Sequence, residues 1–356
     1  MQLSKFYKNK KVFITGHTGF KGSWLTSCLL DFNAKIMGFS KKDEKISSYK
    51  KICYYQKVNN IYSDILNYKL LKKKITKFKP DIIIHLAAQS LVSESYKDPY
   101  KTIETNVMGT LNIINISRSV KSLKSLVIIT SDKCYLNKEF KKGYKESDTL
   151  GGDDPYSASK ASAEHIFNAY AKSFLNYQRK YGFASARAGN VIGGGDWASD
   201  RLIPDILRSF DVNEPVIVRN PNATRPWQHV LEPLSGYLVL AQKLYDNCEE
   251  YAEGWNFGPD EKDVQPVNWV LDKMISNWSN SSWSTDNNIN PYEAGYLKLD
   301  ISKAREKLGW RPTWGLDSAL GRIIDWHKAW NNKEDMQLLC LKEIKEYMKD
   351  MSNENP

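Results

Sequence analysis

The segment Lys11-Val12-Phe13-Ile14-Thr15-Gly16-His17-Thr18-Gly19-Phe20-Lys21-Gly22 limits the possible folds more than any other part of the chain. Lys11 to Ile14 reads as a short apolar strand, glycine recurs at every third position from Gly16, and Trp24 to Leu30 continues as an apolar helical stretch. In such a strand–loop–helix unit the first glycine permits a tight turn, the second lets backbone approach a pyrophosphate, and the third lets the helix pack on the strand. The N-terminus of that helix then presents unpaired N–H groups to phosphate. The segment predicts an α/β fold with a Rossmann-type, doubly wound parallel sheet, and it places Gly16, Thr18, Gly19, Phe20 and Gly22 against a dinucleotide.

The later apolar runs fit the same plan. Strands are expected at Lys35 to Phe39, at Ile82 to His85, at Ser125 to Thr130, at Phe183 to Arg187 and at Gly254 to Phe257. The run Ile82-Ile83-Ile84-His85 leads into Leu86-Ala87-Ala88-Gln89, whose small side chains allow a flat cofactor to come close. His85 reads as a core histidine. After the second strand the chain offers Ser40-Lys41-Lys42-Asp43-Glu44 where an acidic residue would accept from ribose hydroxyls, so this position leaves NAD and NADP open. Asp64 follows a weak third strand and can begin a helix over Asn67 to Phe78.

Chemistry is expected where Val127-Ile128-Ile129 opens into Thr130-Ser131-Asp132-Lys133-Cys134-Tyr135. Ligands of open parallel sheets bind beyond the carboxyl ends of the strands, and here a hydroxyl, a carboxylate and an amine stand side by side. Tyr156 and Lys160 are four residues apart in a helical pattern, which puts phenol and ammonium on one face. A lysine so placed favours loss of the phenol proton. Hydride transfer at a carbinol needs Ser131, Tyr156 and Lys160. It does not need Asp132 and Lys133, whereas loss of water requires both removal of a proton and protonation of a departing oxygen. An epimerase or simple dehydrogenase on this scaffold would have no use for the second pair, and a sensor that only binds nucleotide would have lost part of the Ser131, Tyr156 and Lys160 set, which is complete here.

The G-x-x-G-x-x-G spacing resembles the extended branch of the short-chain dehydrogenase/reductase superfamily. Gly16 to Trp24, Ser131 to Tyr135, Arg187 to Trp197 and Arg225 to Val230 resemble its sugar-nucleotide 4,6-dehydratases over nearly the whole chain. Those enzymes generally carry aspartate-glutamate at positions 132 and 133. The Asp-Lys pair resembles the branch that acts on CDP-glucose.

The resemblance implies NAD as cofactor, hydride removal from C4, loss of water across C5 and C6, and return of the hydride to C6. It implies Tyr156 as base at the 4-hydroxyl, Ser131 holding that oxygen, Lys160 beside the phenol, Asp132 as acid at the 6-hydroxyl and Lys133 acting at C5. Cofactor contacts are expected from the glycine loop, Asp64, Ile65, Leu86, Ala87, Ala88, Asn106, Tyr156 and Lys160, with Asn106 in a structural part. Substrate contacts are expected from Gln89, Asn190, Arg201, Leu202, Ile203 and Arg225. The two arginines suit a diphosphate because guanidinium grips phosphate with two parallel hydrogen bonds. The resemblance also implies a homodimer through the helices that carry Asn106 and Tyr156.

The chain is expected to divide into a dinucleotide-binding domain, 1–188, to which 231–258 returns, a substrate lobe, 189–230 and 259–350, and a frayed tail, 351–356. Eight of eleven tryptophans follow residue 250 and read as core for that lobe. The net charge of +10 lies largely in lysine runs that read as solvated faces, without the interleaved aromatics of a nucleic-acid platform. Five scattered cysteines and five histidines match no metal spacing or disulfide framework. No leader and no membrane-length apolar run are visible, and a soluble, cytoplasmic protein is expected.

Overall fold

In a computed structural model, residues 3–42, 48–175, 181–278, 281–286 and 295–354 are described. Asp43 and Glu44, and the last two residues of the expected tail, lie outside them. The strands β1 (Lys11–Thr15), β2 (Lys35–Ser40), β3 (Asn59–Tyr62), β4 (Ile82–His85), β5 (Ser125–Ile129) and β6 (Gly182–Ala188) join the Gly254–Phe257 strand in one parallel sheet. Its order is Gly254–Phe257, β6, β5, β4, β1, β2, β3. The chain winds outward from β1 to β3 and then resumes at β4 on the other side of β1. That reversal opens a crevice beyond the carboxyl ends of β1 and β4.

Strands covered on both faces must be apolar along their whole length, and these are. Val12, Ile14, Ile82, Ile84 and Val127 face one side, against the helices Phe20–Asp31 and Leu231–Asp246. Phe13, Ile83, Leu126 and Ile128 face the other, with Ile113, Ile114 and Phe167 of the helices Gly109–Ser117 and Pro155–Tyr170. The strict alternation follows from the two-residue period of a strand.

A separate apolar cluster gathers Ile203, Ile206, Leu207 and Phe210 of the helix Leu202–Val212, Val270 and Met274 of the helix Val267–Ser276, and Leu320 and Ile323 of the helix Leu316–Asn331. The end of the chain departs from the expected division. Cys340, Ile344, Tyr347 and Met351 of the helix Met336–Glu354 belong to the nucleotide-side core, together with Trp310, Trp314 and Trp326. Nor does the tail fray at residue 351: the helix runs to Glu354, and Met351 is buried in the core. An amphipathic helix shows in sequence that it has an apolar face, but not which body the face covers.

The stretch that leads to Asn106 is broken into short helical pieces. Val92–Lys97 ends at Asp98, whose carboxylate caps Pro99–Ile103 by accepting from Lys101 N at 2.9 Å, and a wide π turn, Glu104–Met108, precedes Gly109–Ser117. Pro99 at the first helical position cannot continue the preceding helix.

Candidate active site

The crevice is a cavity of about 1210 Å³ that runs from the glycine loop past the end of β5 to the segments 188–205 and 216–227. A single small-molecule site occupies roughly 300–1,000 Å³, so there is room for a dinucleotide and a second ligand end to end.

At the loop end the glycines are required by backbone. Gly16 has φ +73°, and a Cβ there would stand 2.8 Å from Ala87 N. A Cβ on Gly22 would fall 2.1 Å from Gly16 O, inside the helix–strand contact. Gly19 differs: its Cβ would meet Gly16 O at an ordinary 3.5 Å, so the protein itself tolerates a side chain there and the space in front is left to a ligand. Thr18, Phe20, Ile65, Leu86, Ala87 and Ala88 line this end. The arrangement fits a dinucleotide: backbone exposed at Gly19, a helix N-terminus aimed at the space, and small residues opposite.

Asp64 does not line the cavity. It accepts from Leu66 N at 3.0 Å and pairs with Lys41 at 2.9 Å, while Asn67 caps the helix Tyr68–Phe78 by accepting from Leu70 N at 3.2 Å. Asn106 lies beneath the floor, 2% exposed, where it accepts from Gln89 N at 2.8 Å and donates to Gln89 O at 2.9 Å and Ser159 Oγ at 2.8 Å. It holds the Gln89 loop to the Tyr156 helix, which accords with a structural part. His85 is a core residue, between Thr15 Oγ1 at 2.7 Å and Thr110 Oγ1 at 3.2 Å, and burial pushes its pKa down to about 3.

The centre holds Ser131, Asp132, Lys133, Tyr156 and Lys160 on one wall. Strand β5 ends at Ile129, and a single 3₁₀ turn, Asp132–Cys134, is capped by Ser131, whose Oγ accepts from Lys133 N at 3.3 Å and donates to Asp132 Oδ1 at 2.9 Å. Asp132 is 2% exposed. Burial pushes its carboxyl above the usual range, against Lys133, Ser131 and Arg225, which pull it down. Its Oδ2 is a buried oxygen with no hydrogen-bond partner among the described residues.

Tyr156 and Lys160 project from the first turns of the helix Pro155–Tyr170, which Asp154 caps through Ser157 N at 2.9 Å. The ammonium stands 5.8 Å from the centre of the phenol ring. Burial lowers the Lys160 pKa to about 8, partly opposed by Cys134 and Glu164, and raises the Tyr156 phenol to about 12. In the protein alone burial therefore outweighs the pull of Ser131 and Arg201 on the phenol, the opposite of the lowered value expected from sequence.

Gln89, Asn190, Arg201, Leu202, Ile203 and Arg225 all line the far part of the cavity. Arg201 is braced by Asp196 at 2.8 Å and Ser90 Oγ at 2.9 Å, and Arg225, 4% exposed, donates to Thr224 O at 3.0 Å and Gly295 O at 3.3 Å. Gln89 is committed to its own loop, donating to Leu91 O and Thr102 Oγ1, both at 2.9 Å.

Sequence reasoning passed over Lys21, Asp196 and Trp197, which line the same space. Lys21 could have been noticed: a cation in the first turn of a helix opposes the helix dipole unless an anion is near. Its ammonium is 3.4 Å from Tyr237 Oη, and burial, with Lys160 and Arg201, lowers its pKa to about 7. Trp197 packs at a tilt against Trp326 and Trp330, 6.1 and 5.0 Å between ring centres, while Trp227 closes the wall near Arg225.

Fold and site together define an enzyme of the extended short-chain dehydrogenase/reductase type, built for redox chemistry on a nucleotide-linked substrate. The chain matches the model of the GDP-mannose 4,6 dehydratase family over residues 13–323 and belongs to that family. It is 50% identical over 349 residues to the CDP-glucose 4,6-dehydratase of Salmonella typhimurium, covering 96% of this chain and 97% of that one. Among solved structures, the epimerase Mth375 of Methanothermobacter thermautotrophicus superposes with a TM-score of 0.80 at 22% identity, covering 93% of this chain and 96% of the other. The dTDP-glucose 4,6-dehydratase of Bacillus anthracis, solved in complex with NAD, gives 0.75 at 22% identity, covering 91% and 98%.

Proposed function

We propose that this protein is a lyase that converts CDP-glucose to CDP-4-keto-6-deoxyglucose with loss of water and with NAD as a bound catalyst. The observation that carries the reading is Asp132, a buried carboxyl of raised pKa, set between Ser131 and Lys133 in the cavity that holds Tyr156 and Lys160. The Salmonella relative supports the choice of nucleotide.

Bound NAD would supply the acceptor for the C4 hydride, later its donor to C6, and while oxidised a positive charge that favours the phenolate. The glycine loop and the helix N-terminus behind it would hold the diphosphate of NAD, while Leu86, Ala87 and Ala88 leave room for its flat parts. Tyr156 takes the 4-hydroxyl proton as the C4–H bond breaks, and Ser131 fixes the oxygen. The resulting 4-ketone makes the C5 hydrogen acidic, and Lys133 takes that proton and gives one back to C5 as C6 receives the hydride. Asp132, whose carboxyl burial pushes above the usual range, gives a proton to the 6-hydroxyl, which departs as water. Arg201 and Arg225 hold the substrate diphosphate. An epimerase uses only the first of these steps and leaves Asp132 without a task.

The helical segments Pro99–Ile103 and Glu104–Met108, the second of which carries Asn106, present exposed apolar groups: Tyr100, Ile103 and Met108 are 78, 39 and 45% exposed. They support a homodimer through this face, which light scattering on the purified protein tests. The division into a nucleotide domain and a substrate lobe is supported by the separate apolar cluster of the lobe. No helix among the described residues is long and apolar enough to cross a membrane, and the described cysteines are free thiols. Both accord with a cytoplasmic enzyme.

Incubation with CDP-, UDP-, GDP- or dTDP-glucose and NAD, scored by mass, is the test. The expected product is CDP-linked and lighter by one water. Preference for another base would overturn the substrate, and a product without loss of water would overturn the lyase.

A further inference from the structure

Thr130 and Tyr135 bracket the turn that carries Asp132 and Lys133, and both are tied to a buried carboxylate that the reaction itself does not use. Glu164 is 0% exposed, on the helix Pro155–Tyr170, one turn beyond Lys160 and two beyond Tyr156. Its Oε1 accepts from Thr130 Oγ1 at 2.5 Å, and its Oε2 accepts from Ser185 Oγ at 2.8 Å and Arg187 Nη2 at 2.7 Å. Arg187, 3% exposed on β6, donates through Nη1 to Tyr135 Oη at 2.7 Å, and that hydroxyl donates to Asn256 Oδ1 at 2.7 Å. Asn256 Nδ2 then reaches Tyr144 O at 2.8 Å and Asp300 O at 3.1 Å. One hydrogen-bonded chain thus runs from the Tyr156 helix, through both flanks of the Ser131–Cys134 turn, to the loop around Tyr144.

The arrangement is a costly way to achieve stability alone. Desolvating a carboxylate and a guanidinium offsets much of their attraction, and apolar residues of similar volume serve packing at least as well. What such a network adds is direction: each partner has one place to be. The turn it holds is a single 3₁₀ turn with little structure of its own. The geometry points to Glu164 and Arg187 as positioning residues that keep the water-eliminating pair, Asp132 and Lys133, in register with the hydride-transfer pair, Tyr156 and Lys160. The inference rests on the dehydratase reading above.

If the register is the role, loosening the chain slows elimination more than oxidation. The variants Thr130→Val and Tyr135→Phe each remove one hydroxyl at nearly constant volume, and Glu164→Gln removes the charge. Each is assayed with NAD and whichever of the four glucose nucleotides the wild type dehydrates, with melting temperature measured alongside. Expected for Thr130→Val and Tyr135→Phe is kcat lower by about 10–100-fold, the scale of a misplacement of roughly 1 Å. KM changes little, and reduced nicotinamide builds up in the steady state, because hydride is taken but water leaves slowly. Glu164→Gln shows the same build-up in its folded fraction. Loss of kcat only in proportion to lost folded protein, or without build-up of reduced nicotinamide, overturns the inference while the dehydratase reading stands. Wild type inactive on all four nucleotides overturns both.

Discussion

The two ends of the cavity are built by opposite means. At the glycine loop the ligand surface is backbone, and its residues matter for what they lack: Gly16 and Gly22 have no Cβ because main chain stands where it would go. At the Ser131–Cys134 turn the surface is side chain, and its residues matter for charge and for the buried bonds that aim them. The first kind of site tolerates little change of volume and is indifferent to charge. The second is nearly the reverse.

The contrast is broken most sharply at Asp132. Asp132→Asn keeps the shape and removes the proton, so product formation should fall by about 10²–10⁴-fold, the usual contribution of general acid catalysis. Reduced nicotinamide should still form in a single-turnover experiment. Absence of that signal would place Asp132 in the first half of the reaction instead.

Lys160 offers the next largest effect. Its pKa of about 8 in the folded chain lies below its ordinary 10.5, so the folded state disfavours the charge. Between pH 8 and 10.5 the unfolded chain binds more protons, and stability rises with pH through that window. Below it the buried charge costs about 3 kcal/mol. Lys160→Met should abolish turnover yet raise stability at pH 7 by up to that amount, with the gain vanishing by pH 10.5. Urea unfolding at the two ends of the window decides, and a gain that does not depend on pH would refute the assignment.

The glycines separate fold from ligand. Gly22→Ala should destabilise by about 1–3 kcal/mol, as overpacking does. Gly19→Ala should leave the melting temperature unchanged and weaken NAD binding, read by calorimetric titration. Equal loss of stability in the two variants would remove the distinction between them.

Smallest is Lys41→Ala at the rim. The pair Lys41–Asp64 is 2.9 Å long but mostly exposed, and such pairs contribute about 0–1 kcal/mol. Unfolding should shift by less than that and lose its small salt dependence.

The same contrast explains what could be read without coordinates. The sheet was legible because strands covered on both faces must be apolar throughout, as Ile82-Ile83-Ile84 and Leu126-Val127-Ile128 are. The glycine loop was legible because its requirement is steric and leaves a fixed spacing. The meeting of Ser131, Asp132, Tyr156 and Lys160 in one cavity was legible, since polar residues at the carboxyl end of a parallel strand face the ligand crevice. Glu164 was not: a carboxylate in a helix says nothing of the Thr130, Ser185 and Arg187 that close on it from two strands. The side covered by the helix Met336–Glu354 was hidden for a related reason, because Tyr347 finds its hydrogen-bond partners, Glu232 and Ser235, on a helix far back in the sequence. The direction of the Tyr156 shift depends on burial against charge, and no spacing encodes that balance.

The placement of the tryptophans has a practical side. Trp197 and Trp227 are part of the cavity wall, and Trp197 stands within 6.1 Å of Trp326 and 5.0 Å of Trp330, ring centre to ring centre. Neighbouring indoles at such separations share excitation, so a chromophore arriving in the crevice can darken the whole group. The molecule carries its own optical gauge of occupancy, wired from the ligand wall into the core.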